Sequence, residues 1–518
     1  MNTAGWGLLL RHAGRRDRWL ITSWVSVLAT LAYASAVATP ALFSSLQQQM
    51  AAATVINRQP ALVALYGPIL DVSSTGELAM SKMTVLYAVF AAVVFVVLVR
   101  RHTRVEEETG RAELVGATAV GRNAAVVAVL TECVLLALII GGCTWTACVV
   151  GGLPVAGAAW FALSWVGTGL VATGVALVAC QLSASARTCA AVAASVIGAA
   201  YAARAVGDTN AALHWLSWAS PLGWNTQLRA WYSPREWVIA LYPVASAALA
   251  ATALAIRSRR DLGAGVIPQR PGRAQGRLRS PWGLAIRLHR LSLALWAVTL
   301  LVIGYLFGYV APGLDSLLRD AIGQQMVDRL GGALMSAVLS LTAVTVTGHG
   351  ISLIGAAAAD EESGRAEMVL ATAISRRGWA GPTAALVLLA STVLMSVTGI
   401  GLALGYGAGR GADPWRSLAA AWSWLPAIWC VLGVFGVMYG RRRRAAPLGW
   451  AVLGGCVAVT LIGHLLKLPT WIVGISPYSD ISGYPAQSWN WTPIVALLAL
   501  AFATSAVAWW QLRARDIG

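Results

Sequence analysis

Charged side chains are scarce in this chain, so their positions are informative. The 518 residues are 58% hydrophobic and only 11% charged, with 38 Lys and Arg against 21 Asp and Glu. Glu132 stands inside an apolar run that begins near Asn123. A carboxylate at that depth could bind a cationic compound, carry a proton, or simply be held by neighbouring helices. His349 and His464 also fall in apolar runs and read as packed rings. The seven cysteines lie in or beside apolar runs and show no Cys-x-x-Cys spacing, so neither a disulfide framework nor a metal site is expected. A phosphate-binding loop needs a lysine directly after a glycine. The only lysines, Lys82 and Lys467, do not follow one, so no nucleotide-binding motif or enzyme activity is read in this chain.

The most distinctive charged stretch is Glu107-Glu108-Thr109-Gly110-Arg111-Ala112-Glu113-Leu114-Val115, and it occurs twice. The second copy, Glu361-Glu362-Ser363-Gly364-Arg365-Ala366-Glu367-Met368-Val369, follows 254 positions later (361 − 107) without a gap. Each copy lies between two long apolar runs. As a helix, it would pair Glu107 with Arg111 and Glu361 with Arg365, four residues apart. Thr109 and Ser363 are expected N-caps, without a full capping box. Leu114, Val115, Met368 and Val369 add a small apolar face. An acidic-fronted helix of this kind suits docking into a basic groove on a soluble partner. The bland alternative, a solvated connector, gives no reason for the repetition.

The elements that must carry these segments are membrane helices. Repeated apolar runs of about 20 residues match a bilayer core, and a soluble chain of this size could not hide so much apolar surface. The expected fold class is an all-α polytopic membrane protein with 12 transmembrane helices. They form two parallel six-helix repeats, each preceded by an amphipathic surface helix. Residues 1–256 form the first six-span domain, 257–281 an Arg/Pro-rich linker and 282–518 the second domain. Trp6-Gly7-Leu8 is echoed by Trp282-Gly283-Leu284, and Ser220-Pro221 by Ser476-Pro477. Each Ser-Pro reads as a helix start in an outer segment. Signal-peptidase-like sites near Ala36 are outweighed by the retained layout of the second half. Position 386, matching Glu132, is Leu, so any role of Glu132 belongs to one half only. The net charge of +17 comes from arginines in short loops. They are read as positive-inside signals placing both repeat copies and both termini in the cytoplasm, not as a nucleic-acid surface. The segment from Arg257 to the second Trp-Gly-Leu motif reads as a tether without a core pattern.

Six spans, a surface helix and a charged helix between the second and third spans resemble the transmembrane domain of ABC-2-type (type V-like) bacterial exporters. The pattern Glu-Glu-Thr/Ser-Gly-Arg-Ala-Glu-Leu/Met-Val is similar to permeases of actinobacterial tetronasin/polyketide antibiotic exporters, which fuse two such domains. The resemblance implies a plasma-membrane permease that exports hydrophobic or amphipathic compounds with two copies of a separate ATPase, which bind the ATP and Mg. It implies coupling roles for Glu107, Glu108, Gly110, Arg111 and Glu113, and for Glu361, Glu362, Gly364, Arg365 and Glu367. A lipid or glycolipid cargo is the alternative within that class. A proton-coupled transporter using Glu132 is the alternative outside it. Tyr87, Phe90 and Phe95 on the second span, with Ser336, Ser340 and Thr347 on its counterpart, are candidates to line a substrate path beside Glu132.

Overall fold

The computed structural model describes residues 3–514 apart from 44, 268–279, 323, 408–413, 443–445, 463–468, 480 and 482–490. No strand occurs among the described residues. Among the described residues, eleven helices are long and apolar enough to cross a membrane: Trp6–Ala41, Thr75–Glu108, Ala124–Val150, Val155–Leu182, Ala186–Thr209, Glu236–Ser258, Pro281–Tyr309, Val338–Glu362, Arg376–Tyr406, Pro414–Arg441 and Trp491–Leu512. The expected eleventh of twelve spans coincides with the helix Ala446–Ile462, 17 residues long. Its anticipated end at Leu465, like His464 and Lys467, lies outside the described residues. The chain divides into two compact units, Met1–Gly272 and Arg273–Gly518.

The surface helices expected ahead of each half are not separate elements. Trp6–Ala41 is one helix of 36 residues, and Pro281–Ile322 one of 42 residues. The 36-residue helix is about 54 Å long at 1.5 Å per residue, against about 30 Å for a hydrocarbon core. Nothing between Arg11 and Trp24 breaks it: the segment has neither proline nor a capping side chain, and the only glycine, Gly14, has open space around it. The basic amphipathic stretch and the first span are therefore one rod.

In the first unit the fourth span, Val155–Leu182, is the central helix, with 72% of its apolar window buried. Small residues make this possible. Phe95 of the second span sits on Gly169, and Tyr242 on Gly167. Phe161, Trp165, Leu28 and Met80 complete the core. The fifth and sixth spans bury only 17% and 11% of theirs, leaving an apolar outer surface that suits lipid rather than water. The second unit is built on the same plan around Pro414–Arg441, again 72% buried. There, Gly304 and Gly308 face Gly401 and Gly405 across two helices. A Cβ on Gly308 would stand 2.3 Å from the Leu402 carbonyl oxygen, so this close crossing tolerates no side chain.

The Ser-Pro pairs anchor alike in the two units; Ser220 also accepts the Gly223 N–H on its Oγ at 3.4 Å, at the start of the short helix Gly223–Gln227, whereas Ser476 makes no such bond among the described residues. Pro221 and Pro477 lie in turns. Ser220 Oγ donates to the Ala200 carbonyl at 2.7 Å, and Ser476 Oγ to the Cys456 carbonyl at 3.1 Å. Both serines thus tie a connecting segment to the preceding helix, at equivalent positions 256 apart (476 − 220, 456 − 200).

Candidate functional site

The repeated segment folds the same way in both units, and not as one continuous helix. The second span ends in Arg104–Glu108, and a short helix Arg111–Gly116 follows at an angle. In the second unit Gln324–Glu362 is followed by Arg365–Leu370. The joint is glycine in a left-handed conformation: Gly110 has φ 74° and ψ −2°, Gly364 φ 73° and ψ 1°. A residue with a side chain would resist that geometry, which is the reason for glycine at both positions. Thr109 and Ser363 do not cap. Their hydroxyls donate back to the Val105 and Ala359 carbonyls, at 2.8 and 2.7 Å.

The break re-pairs the charges. The expected Glu107–Arg111 and Glu361–Arg365 pairs do not form, because the glycine joint turns each arginine away. Arg111 lies 3.7 Å from Glu106, and Arg365 lies 2.8 Å from Asp360. Glu107 faces inward and is buried. Its carboxylate accepts from Arg104 at 2.6 Å and from Arg260 at 2.8 and 3.0 Å, with Arg257 at 3.4 Å. Glu361 is also buried and accepts from the Tyr439 hydroxyl. Both leading glutamates thus fasten the end of a span to its own unit. The residues facing outward are Glu108, Arg111, Glu113 and the apolar Leu114, and in the second unit Glu362, Arg365, Glu367 and Met368. The Glu108 carboxylate also accepts the Ala186 backbone N–H at 3.2 Å, supporting the start of the fifth span.

The beginning of the linker belongs to this site. Arg104 donates to the Gly263 and Ala264 carbonyls, and Val266 and Ile267 donate from their backbone to Gln181 and Leu182. Residues 257–267 are therefore pinned against the first unit instead of tethering freely. Gly265 permits the approach, since a Cβ there would meet the Ala184 backbone nitrogen at 2.7 Å.

A cavity of about 680 Å³ opens beside the segment. Its walls come from Leu9, His12 and Arg16 of the first helix, His102 and Glu106 of the second span, Leu114 and Val115 of the short helix, and Arg257, Arg260 and Leu262. Arg16 closes one side through a 2.5 Å ion pair with Glu106. The groove is thus lined by apolar side chains together with charged groups of both signs.

Behind the groove lies a cluster not anticipated from the sequence. Asp17, in a row of arginines, is wholly buried; its Oδ1 is ion-paired with Arg101 at 2.5 Å, and its Oδ2 contacts His102. Glu132 is buried too, 3.7 Å from the same His102 ring nitrogen. The signal available in the sequence was the single acid, Asp17, among Arg11, Arg15, Arg16 and Arg18.

The substrate-path candidates scatter. Tyr87 and Phe90 pack with tilted rings whose centres are 5.7 Å apart, Tyr87 closing a π-helical turn over Met83–Tyr87 and Phe90 exposed. Phe95 is fully buried against Gly169. Thr347 is also fully buried and shares a 2.7 Å hydrogen bond with Tyr478. Ser340 is half-buried, and the buried Ser336 hydroxyl has no partner among the described residues.

Over residues 278–513 the chain matches the family model described as multidrug efflux system permease Rv1217c, C-terminal domain. Across 98% of its length it is 34% identical to the multidrug efflux system permease protein Rv1217c of Mycobacterium tuberculosis, covering 94% of that protein. The chain belongs to this permease family.

Proposed function

We propose that the chain is the membrane subunit of an ATP-driven exporter of the ABC class, moving hydrophobic or amphipathic drug-like compounds out of the cell. The carrying observation is that both units hold the same glycine-jointed helix, each with an exposed acidic and apolar face and a buried glutamate anchoring it. Two equivalent docking elements in one chain call for two copies of one partner. That partner supplies ATP hydrolysis, because the chain carries no phosphate-binding motif. Glu108, Arg111, Glu113 and their counterparts Glu362, Arg365 and Glu367 are the contact residues in this reading. Glu107, Glu361, Gly110 and Gly364 are positioning residues. The drug class of cargo follows the efflux name of the relative.

Force from a partner reaches the spans through the buried anchors. Glu107 joins the segment to the second span, the sixth span and the pinned linker at once. Tilting the short helix therefore moves three elements together. Reversing charge at Glu108 and Glu362 together should abolish drug-stimulated ATP hydrolysis by the complex while insertion and folding persist. Unchanged stimulation in that double variant would exclude the docking assignment.

A further inference from the structure

Three donor side chains from three spans converge behind the groove. Asp17 comes from the first span, His102 from the second and Glu132 from the third. One ligand atom of each lies within 4.8 Å of the others. Asp17 has a counter-charge, since Arg101 sits 2.5 Å from its Oδ1. Glu132 does not: it is 4% exposed, neither oxygen is hydrogen-bonded among the described residues, and the nearest ionisable side chain is the His102 ring at 3.7 Å. Burying a carboxylate so poorly satisfied is costly unless a cation joins it.

Helix packing does not demand this cluster. In the register of the repeated segment, Glu132 matches Leu386, and Arg101 and His102 match Gly355 and Ala356. In the register of the Trp-Gly-Leu motif, Asp17 matches Leu293. Leu293 and Leu386 pack against the apolar core of the second unit. The polar set is thus present as a whole in one unit and replaced as a whole in the other, as expected for residues that share a ligand.

We propose that Asp17, His102 and Glu132 bind one divalent transition-metal ion of the zinc class. An imidazole with two carboxylates is a donor set such ions accept, whereas magnesium and calcium prefer oxygen alone. Ligands about 2.0–2.2 Å from a tetrahedral ion stand about 3.3–3.6 Å from one another, close to the 3.7 Å between His102 Nε2 and Glu132 Oε2. The ion takes the place of the direct His102–Asp17 contact. Arg101 stays on Oδ1 as an outer partner and leaves Oδ2 to the ion. Access is through the groove, because His102 lines the cavity wall and its side chain is 11% exposed. A bound ion would clamp the first helix to the second and third spans along the wall of the docking groove.

The test uses the full chain purified without a polyhistidine tag, stripped with chelator and titrated with Zn²⁺ or Co²⁺. The wild type should retain one ion more per chain than Glu132→Gln. Co²⁺ should give visible d–d absorption without a thiolate charge-transfer band, and Zn²⁺ should raise the melting temperature of the wild type alone. The double variant His102→Ala/Glu132→Leu borrows residues that the second half already accommodates, and it should lose the same ion if the Gln variant misfolds. Equal ion content in wild type and both variants would overturn the proposal. So would a pH-dependent melting shift with no ion retained, which would mean that a proton alone occupies the cluster. Neither result bears on whether an ATPase docks, since no partner is in the assay.

Discussion

Glu107→Gln tests whether the first glutamate of the repeat is a buried clamp. Its side chain is 3% exposed and contacts three guanidinium groups, of Arg104, Arg257 and Arg260, whose side chains are 0%, 13% and 7% exposed. Glutamine keeps the shape and removes the one negative charge among them. Breaking a buried ion pair from one side costs about 3–5 kcal/mol. Arg257 and Arg260 stand near enough to the groove to regain some hydration, so the lower end, about 3 kcal/mol, is expected. At roughly 2–4 °C per kcal/mol for a unit of this size, the melting temperature should fall by about 6–12 °C. The assay is loss of monodispersity on heating in detergent, followed by size-exclusion chromatography, with limited trypsin digestion in parallel. Cleavage at Arg257, Arg259 and Arg260 should accelerate, because Glu107 and Arg104 hold that segment down. Adding Arg260→Gln to Glu107→Gln should cost less than the sum of the single changes, since the two share one contact. A melting shift below about 2 °C with an unchanged digest would refute the clamp, because the lower bound above requires more.

Three further outcomes follow from the same geometry. Gly364→Val and Gly110→Val should each cost about 1–3 kcal/mol and cut export, because a β-branched residue resists positive φ. Open space surrounds both positions, so Asn, which tolerates that conformation, should retain most export, and equal loss in the two variants would point to contact instead. Gly308→Leu should prevent the seventh and ninth spans from closing and lower the yield of folded protein, whereas Gly355→Leu, in open space, should not. Ser220→Ala and Ser476→Ala should each cost about 1 kcal/mol in thermal stability, since each removes a hydroxyl hydrogen bond to the preceding helix. A shift in only one of them would show that the two connecting segments are not held alike.

Much of this architecture was legible in the sequence because a bilayer constrains it so strongly. Apolar runs mark spans directly, and the constant 254-residue offset marks the repeated segment without any structure. Pairing was harder to read. Spacing alone joins Glu107 to Arg111, but Gly110 at φ 74° turns the chain, and the carboxylate finds arginines about 150 residues away instead. The continuity of the surface helix with the first span is hidden for a related reason: composition changes at Trp19, yet the backbone hydrogen bonds run on unbroken. The 257–267 segment has no apolar period because backbone and arginine contacts hold it, and periodicity cannot report those. Asp17 stands out in the sequence as the one acid among four arginines, but its partners, Arg101 and His102, are more than 80 positions away and spacing cannot name them.

The central claim is that a separate ATPase drives this chain, and co-purification from the native membrane tests it most directly. The tagged chain should bring down a single ATPase of roughly 250–350 residues, the size of one nucleotide-binding module, at two copies per chain. The Glu108→Lys/Glu362→Lys variant should lose it. A chain that purifies alone and still moves substrate down a pH gradient, with Glu132→Gln abolishing that movement, would contradict the account.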